Sequence, residues 1–158
     1  MNAIKIITED VIREFYEDNV LYLELRSTPK ALPGSSKRDY LEAIVQTIQS
    51  TVKSLDSMIV QFLVSVDRGR SLEDAVENID LAVEFARLYP DIVVGVDFSG
   101  DPTKGDAKEF VPLLKKAKAR GLFISVHMAE TNNLEDRKTL LAAEPDRTCF
   151  FRPSKFWW

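Results

Sequence analysis

Four apolar runs rich in β-branched residues recur along the chain, and each ends in a cluster of polar side chains. The polar clusters occupy residues 26–28, 67–68, 97–101 and 127–130. A short apolar run of this kind is typical of a strand buried in a parallel sheet, and α/β folds carry their chemistry at the carboxyl ends of such strands. The pattern therefore predicts both a fold class and the place where functional side chains gather.

Segments with the 3.6-residue periodicity of amphipathic helices separate these runs. Ser36 followed by Asp39 resembles a capping box, and Gly121 resembles the residue that follows a helix C-terminus. A first helix is predicted over residues 7–19, with Thr8 as its N-cap. Strands that alternate with helices of this length predict consecutive right-handed βαβ units on one parallel sheet.

Two architectures fit such repeats: a doubly wound open sheet, or part of a (β/α)₈ barrel. No G-x-G-x-x-G or G-x-x-x-x-G-K sequence follows any predicted strand, which favours the barrel over nucleotide-binding open sheets. A complete barrel takes about 250 residues, whereas this chain has 158. The expected fold is α/β, with four parallel βα repeats forming about half of a (β/α)₈ TIM-type barrel.

The composition narrows the classes of partner. A net charge of -4 leaves no basic stripe, so a nucleic-acid polymer is not an expected partner. No stretch reaches the roughly 18 apolar residues of a membrane span, and we expect no membrane association. Cys149 is the only cysteine, which excludes an internal disulfide and a multi-cysteine zinc site. These features together favour a cytoplasmic protein.

Two of the strand ends carry residue types suited to catalysis. His127 is the only histidine, and Glu130 follows it by three residues, so both side chains can converge on one pocket. Neutral imidazole binds zinc, and a nearby carboxylate can transfer protons. Gly100, between Asp97 and Asp101, would let backbone approach a ligand closely. The alternatives are a structural histidine and a plain polar turn.

Two further clusters are less specific. Ser27, Thr28 and Lys30, with Pro29 between them, offer hydroxyls and a cation that could hold a phosphate or a carboxylate. A solvated loop after the strand is the alternative. Asp67 lies beside Arg68, and this pair could be no more than a surface ion pair.

The stretches 23–29, 65–68, 94–102 and 126–130 together resemble the adenosine deaminase family in order and spacing. The stretch 26–29 resembles the adenosine deaminase-like branch, the N6-methyl-AMP deaminases. The family implies a (β/α)₈ barrel of the metal-dependent hydrolase type. It also implies Zn²⁺ as cofactor and a purine nucleotide or nucleoside as substrate. The implied reaction converts N6-methyl-AMP to IMP, or adenosine to inosine.

The same resemblance implies a role for each matching residue. His127 would be a zinc ligand, and Glu130 a catalytic proton donor to the purine ring nitrogen. Gly100 would present its backbone N–H to the base. The residues expected to contact the nucleotide elsewhere are Ser27, Thr28, Pro29, Lys30 and Asp67.

The sequence departs from the family pattern at both ends. A His-x-His pair expected before the first helix is missing, and residues 148–158 replace a strand with a His-Gly motif. We therefore expect residues 1–147 to be a partial deaminase-like domain, truncated at both ends, with 148–158 as a divergent aromatic tail. One zinc ligand of several predicts an inactive fragment.

Three alternatives stay open at this point. The aromatic tail could cover an exposed sheet face. A non-catalytic half-barrel could self-associate through exposed sheet edges, or bind the full-length enzyme. An unrelated barrel enzyme could act on a phosphate-bearing substrate without metal.

Overall fold

The computed structural model describes residues 1–150, which form one parallel five-stranded sheet in the order β1-β2-β3-β4-β5. The strands are β1 (Tyr22–Ser27), β2 (Ile59–Asp67), β3 (Val93–Ser99), β4 (Phe123–Met128) and β5 (Arg147–Phe150). The helices are α1 (Asn2–Glu17), α2 (Lys37–Val52), α3 (Leu72–Leu88), α4 (Ala107–Ala119) and α5 (Leu134–Leu141). Within residues 1–150, no helix combines the length and the apolar character that crossing a membrane requires.

The sequential strand order decides between the two predicted architectures. A doubly wound sheet reverses its strand order at a switch point, whereas every strand here pairs with its neighbour in sequence. Successive right-handed crossovers then place the helices on one face, as in a barrel. The βα repeats therefore form half of a (β/α)₈ barrel, as the sequence predicts.

A fifth strand is present where the sequence indicates only four. Arg147–Phe150 pairs with β4, in the segment where the divergent tail was expected to begin. Asp146 fixes this pairing: its Oδ2 accepts a hydrogen bond from the Ile124 backbone N–H at 2.9 Å, and Lys118 lies 3.1 Å from its Oδ1. Partial burial acts to raise the pKa of Asp146, but these partners outweigh it and lower the pKa. The rest of the tail, residues 151–158, lies outside the described residues.

Two of the predicted helix boundaries are confirmed, and one is wrong. Ser36 Oγ accepts from the backbone N–H of Asp39, and Asp39 Oδ2 accepts from that of Ser36, so the capping box is confirmed. Gly121 follows α4 with φ +90°, also as expected. The N-cap prediction at Thr8 is wrong, because α1 begins at Asn2. Inside the helix, the Thr8 hydroxyl donates to the carbonyl of Ile4 at 2.8 Å, a mid-helix alternative to capping.

The two faces of the sheet differ in character. Side chains alternate between faces along a strand, and one set packs under the helices as the hydrophobic core. That set is fully buried and includes Val64, Val66, Val96, Phe98, Ile124 and Val126. The opposite, concave face is largely polar, and there Arg147 of β5 reaches Glu24 of β1 at 3.0 Å. This polar concave face is where the candidate site lies.

Candidate active site at the carboxyl ends of the strands

Strand register brings the polar residues of the concave face into rows. Asp97 pairs with Ser65 on one side and with Ser125 on the other, and His127 pairs with Cys149. The carboxyl ends of β3, β4 and β5 therefore place one buried carboxylate, the single histidine and the single cysteine side by side. Parallel pairing alone achieves this, since each strand ends at the same edge.

Asp97 is the buried centre of this cluster, with a side chain 1% exposed. Its Oδ2 accepts from Nη1 of Arg26 at 3.2 Å, and its Oδ1 accepts from the Ser125 hydroxyl at 3.0 Å. Arg26 also donates to the Ser99 hydroxyl at 3.0 Å. A buried carboxylate needs hydrogen-bond partners, and here they also fix its orientation toward His127.

His127 lies between two carboxylates. Its Nδ1 is 3.2 Å from Oε1 of Glu130, and its Nε2 is 3.5 Å from Oδ1 of Asp97. Ala129 adopts φ +58°, a left-handed conformation that non-glycine residues seldom adopt. This turn carries Glu130 back onto the imidazole, and such local strain is characteristic of functional sites. The predicted convergence of the histidine and the glutamate is thus present in the structure.

The surroundings of the imidazole suit a metal ion. Among the described residues, Nε2 of His127 is buried and has no hydrogen-bond partner, although it faces a carboxylate. A buried polar atom normally finds a partner, and a nitrogen lone pair aimed at a carboxylate is typical of a ligand position. The contact of Nδ1 with Glu130 is also the usual second interaction of a zinc-bound histidine. The residues present therefore fit zinc at Nε2.

Gly100 and Asp67 form a second contact at the same edge. A Cβ built on Gly100, whose φ is +110°, would lie 2.2 Å from Oδ1 of Asp67, so only glycine fits. Beside it, hydrogen bonds from the hydroxyl and the backbone N–H of Thr103 lower the pKa of Asp101. The loop after β3 therefore presents bare backbone against Asp67, whereas the Asp101 carboxylate is taken up by Thr103.

The residues predicted to hold a phosphate are not all on this face. The Ser27 hydroxyl lies 2.7 Å from the Tyr40 hydroxyl of α2, on the helix side of the sheet, whereas the preceding Arg26 points to Asp97. Pro29 is buried, Thr28 is half-buried and Lys30 is exposed. Only Thr28 and Lys30 are thus open to a ligand from this segment.

Arg68 is a buried structural residue, so the alternative of a surface ion pair with Asp67 is wrong. Its guanidinium donates to both carboxylate oxygens of Asp136, at 2.6 and 3.0 Å, and to the carbonyls of Lys104 and Gly105. The side chain is 4% exposed. Arg68 therefore ties the loop after β3 to the start of α5, the two segments that carry Gly100 and follow Glu130.

Several site residues were missed in the sequence. Arg26, Ser125 and Cys149 belong to the cluster around Asp97 and His127, but none was assigned a role: Arg26 was noted only as part of the stretch 26–29, and Ser125 and Cys149 lie in no recognised motif. The available signal was the alternation of side chains along a strand: 125 and 127 share a face, as do 147 and 149. The same alternation places Arg26 and Ser27 on opposite faces of the sheet.

No protein-family model matches this chain. Among curated proteins, it is 39% identical over 139 residues to an adenosine deaminase-like protein of Drosophila melanogaster, which covers 88% of this chain and 41% of that protein. It is 43% identical over 148 residues to the N6-Methyl-AMP deaminase of Homo sapiens, covering 91% and 41%. The chain thus spans about two fifths of the length of the curated relatives it matches.

The solved structures that resemble this chain also include N6-methyl-AMP deaminases. An Arabidopsis N6-mAMP deaminase crystal structure superposes with a TM-score of 0.83 at 38% identity, over 94% of this chain and 47% of that one. An Arabidopsis ADAL complexed with IMP has a TM-score of 0.83 at 37% identity, over 94% and 46%. A cog1816 amidohydrolase solved with bound Zn shares the fold alone, with a TM-score of 0.79 at 19% identity over 92% and 40%. Over about nine tenths of its length, the chain is similar to about two fifths of the adenosine deaminase-like proteins and N6-methyl-AMP deaminases, in sequence and in fold.

Proposed function

We propose that this chain carries part of the site of a zinc-dependent purine deaminase, which hydrolyses the 6-amino or 6-alkylamino group of a purine nucleotide or nucleoside. The observation that carries the proposal is the row Glu130, His127 and Asp97 at the carboxyl ends of two neighbouring strands. Relatives named N6-methyl-AMP deaminase and a related structure complexed with IMP support the choice of substrate.

The reaction requires water to replace an amine. A C–O bond forms at purine C6, the C6–N bond breaks, one water proton ends on the neighbouring ring nitrogen and the other leaves with the amine. When bound at Nε2 of His127, zinc supplies positive charge that brings the pKa of water to about 7. Every proton transfer then needs a positioned side chain of suitable pKa.

Glu130 is the group we assign to the proton on the ring nitrogen. An Nδ1–H of His127 that donates to Oε1 of Glu130 fixes the imidazole tautomer and leaves Nε2 as the lone-pair donor. The second carboxyl oxygen of Glu130 stays available to the base. Gly100 offers a backbone N–H at the same edge, and Asp67, in contact with it, can accept a hydrogen bond from the ligand.

The phosphate end of a nucleotide would meet the segment after β1. We propose Thr28 and Lys30 for this contact, because the Ser27 hydroxyl already lies against Tyr40 and Pro29 is buried. Replacement of Lys30 by Met should weaken the binding of IMP, which carries a phosphate, more than the binding of inosine, which does not. Equal weakening of both ligands would assign Lys30 no role at the phosphate.

The chain by itself should bind ligand without steady turnover. It contains one histidine and lacks both the His-x-His pair and the His-Gly motif of the family pattern, so the ligand set of the catalytic zinc is not the one that the family uses. Incubation with zinc and N6-methyl-AMP, followed by the ultraviolet shift to IMP, tests this directly. Steady product formation that disappears in Glu130→Gln would overturn the inactivity and keep the deaminase assignment.

Binding of IMP, measured by calorimetry, tests the site itself. Glu130→Gln removes a charge-assisted contact to the base and should lower the affinity for IMP by about 10- to 100-fold. Gly100→Trp should abolish binding, and Glu135→Gln, an exposed change in the next helix, should leave it unaltered. Loss with Gly100→Trp but not with Glu130→Gln would indicate a generic phosphate pocket and no deaminase site.

A second proposal is self-association of a non-catalytic half-barrel. Among residues 1–150, β1 and β5 each pair with one neighbouring strand, so each leaves an unpaired edge. Size-exclusion chromatography of the purified chain should then show dimers or larger species, whereas a monomer with cooperative melting argues against it.

A further inference from the structure

Three side chains of different chemistry converge at the carboxyl ends of β3, β4 and β5. A carboxylate oxygen of Asp97, a ring nitrogen of His127 and Sγ of Cys149 all lie within 4.8 Å of one another. They belong to three neighbouring strands, and His127 and Cys149 are direct partners in the parallel register. Their positions are therefore fixed by the sheet and not by a loop.

We propose that Asp97, His127 and Cys149 together bind one zinc ion, with the Cys149 thiolate as a ligand. Tetrahedral zinc with bonds of about 2.0 Å to nitrogen or oxygen and 2.3 Å to one sulfur has ligand atoms about 3.3–3.5 Å apart. The Nε2 of His127 and Oδ1 of Asp97 are 3.5 Å apart, within that range. The sulfur lies within 4.8 Å of a ring nitrogen of His127 and a carboxylate oxygen of Asp97, so it has to move inward by at most about 1.3 Å.

Asp97, which is buried, and His127, which is half-buried, are already oriented. Nε2 of His127 has no hydrogen-bond partner among the described residues, and Asp97 is held by Arg26 at Oδ2 and by the Ser125 hydroxyl at Oδ1. Ligating carboxylates and histidines are normally held by such outer hydrogen bonds. One carboxylate and one thiolate also balance the double charge of the ion. Cys149 is exposed, so its sulfur can be reached by an ion from solvent.

This inference rests on the proposed function only through the shared residue His127. The proposed function needs zinc on the imidazole, but it assigns no role to sulfur. IMP binding and metal ligation are measured separately, so either proposal can fail while the other stands.

Cobalt(II) gives a direct test, because a thiolate bound to Co²⁺ produces a charge-transfer band in the near ultraviolet. The chain contains a single cysteine, so such a band can come only from Cys149. Titration of the full chain with Co²⁺, in a phosphine reductant, should give this band at one equivalent, and one equivalent of Zn²⁺ should remove it. Cobalt binding with no such band would overturn the proposal.

Variants separate the three ligands. Cys149→Ser should remove the charge-transfer band. Asp97→Asn and His127→Ala should each lower the affinity for zinc by more than the roughly 100-fold that is typical of changes to residues outside the ligand set. Asp101→Asn, a nearby exposed carboxylate, should bind zinc as the unaltered chain does. A band of full intensity at the same affinity in His127→Ala would refute the shared site.

A measurement on the unaltered chain guards against variants that fail to fold. Zinc should slow alkylation of Cys149 by iodoacetamide at least tenfold, because a coordinated thiolate is a poorer nucleophile. Magnesium, which prefers oxygen ligands, should give no protection at the same concentration. Equal alkylation rates with and without zinc would exclude the thiolate as a ligand.

Discussion

Arg68→Ala should be among the most destabilising single changes on the polar side of this fold. The guanidinium is 4% exposed, makes two hydrogen bonds to the Asp136 carboxylate and donates to two backbone carbonyls. It also lies 5.6 Å from the centre of the Phe98 ring. Removing it leaves Asp136, itself 13% exposed, without its counter-charge.

The expected loss in free energy of unfolding is that of breaking the buried ion pair between Arg68 and Asp136, and it is not a sum over the individual contacts of Arg68. Removal of one partner of a buried ion pair costs about 3–5 kcal/mol, because the remaining charge stays desolvated. At roughly 2–4 °C per kcal/mol for a domain of this size, the melting temperature should fall by about 6–20 °C. Urea unfolding followed by circular dichroism measures the same change as a free energy.

Arg70→Ala is the matched control. Arg70 lies two residues away, is 35% exposed and pairs with Asp67 and Asp74 only at 3.6 and 3.4 Å. Its removal should cost less than about 1 kcal/mol, as for other surface pairs. If Arg68→Ala were to cost no more than Arg70→Ala, the role assigned to Arg68 would be refuted. A double-mutant cycle with Asp136→Ala should give a coupling of about 1.5 kcal/mol or more.

Three further changes test other parts of the structure. Gly121→Ala, at φ +90° in open space, should lower the free energy of unfolding by about 1–2 kcal/mol. Gly100→Ala should lower it more, because the added Cβ would meet the Asp67 carboxylate. Combining Gly100→Ala with Asp67→Ala should restore part of that difference, measured by thermal melting. The folded-state pKa of Asp146 is lowered, so its stabilisation is complete above roughly pH 5 and is lost as the pH falls through and below about 4. Asp146→Asn should therefore flatten the acid side of the stability profile, and an unchanged profile would contradict this. Ser36→Ala should cost about 1 kcal/mol in urea unfolding through loss of the capping box, and a cost near zero would count against that cap.

Local signals in the sequence were enough for most of the elements. β-Branched runs predict four strands, and the Ser36–Asp39 pair predicts the start of α2, because both depend on neighbouring residues. Thr8 misled the prediction for α1, since a hydroxyl that caps a helix can equally bond back inside one. The strand Arg147–Phe150 is only four residues long, too short for an alternating pattern to be read.

The candidate site could be predicted only where strand register determines it. Parallel pairing places His127 beside Asp97, and the residues that follow each strand could be listed from sequence. Long-range partners could not, because nothing local in Arg68 indicates a contact with Asp136, 68 positions away. Ser27 was assigned to a ligand although a strand turns successive side chains to opposite faces, which places it against Tyr40.

The two faces of the sheet separate stability from chemistry. Core residues such as Val126 and Phe98 point toward the helices and are fully buried, whereas their neighbours Ser125, His127 and Asp97 lie on the concave face. Asp97 accepts hydrogen bonds from Ser125 and Arg26, which lie on other strands, so the buried carboxylate is satisfied by the sheet itself. Strand pairing, supported from the helix side, is therefore sufficient to hold this part of the site in place. Metal and nucleotide binding can accordingly be measured on the chain itself, even though it spans about two fifths of its curated relatives.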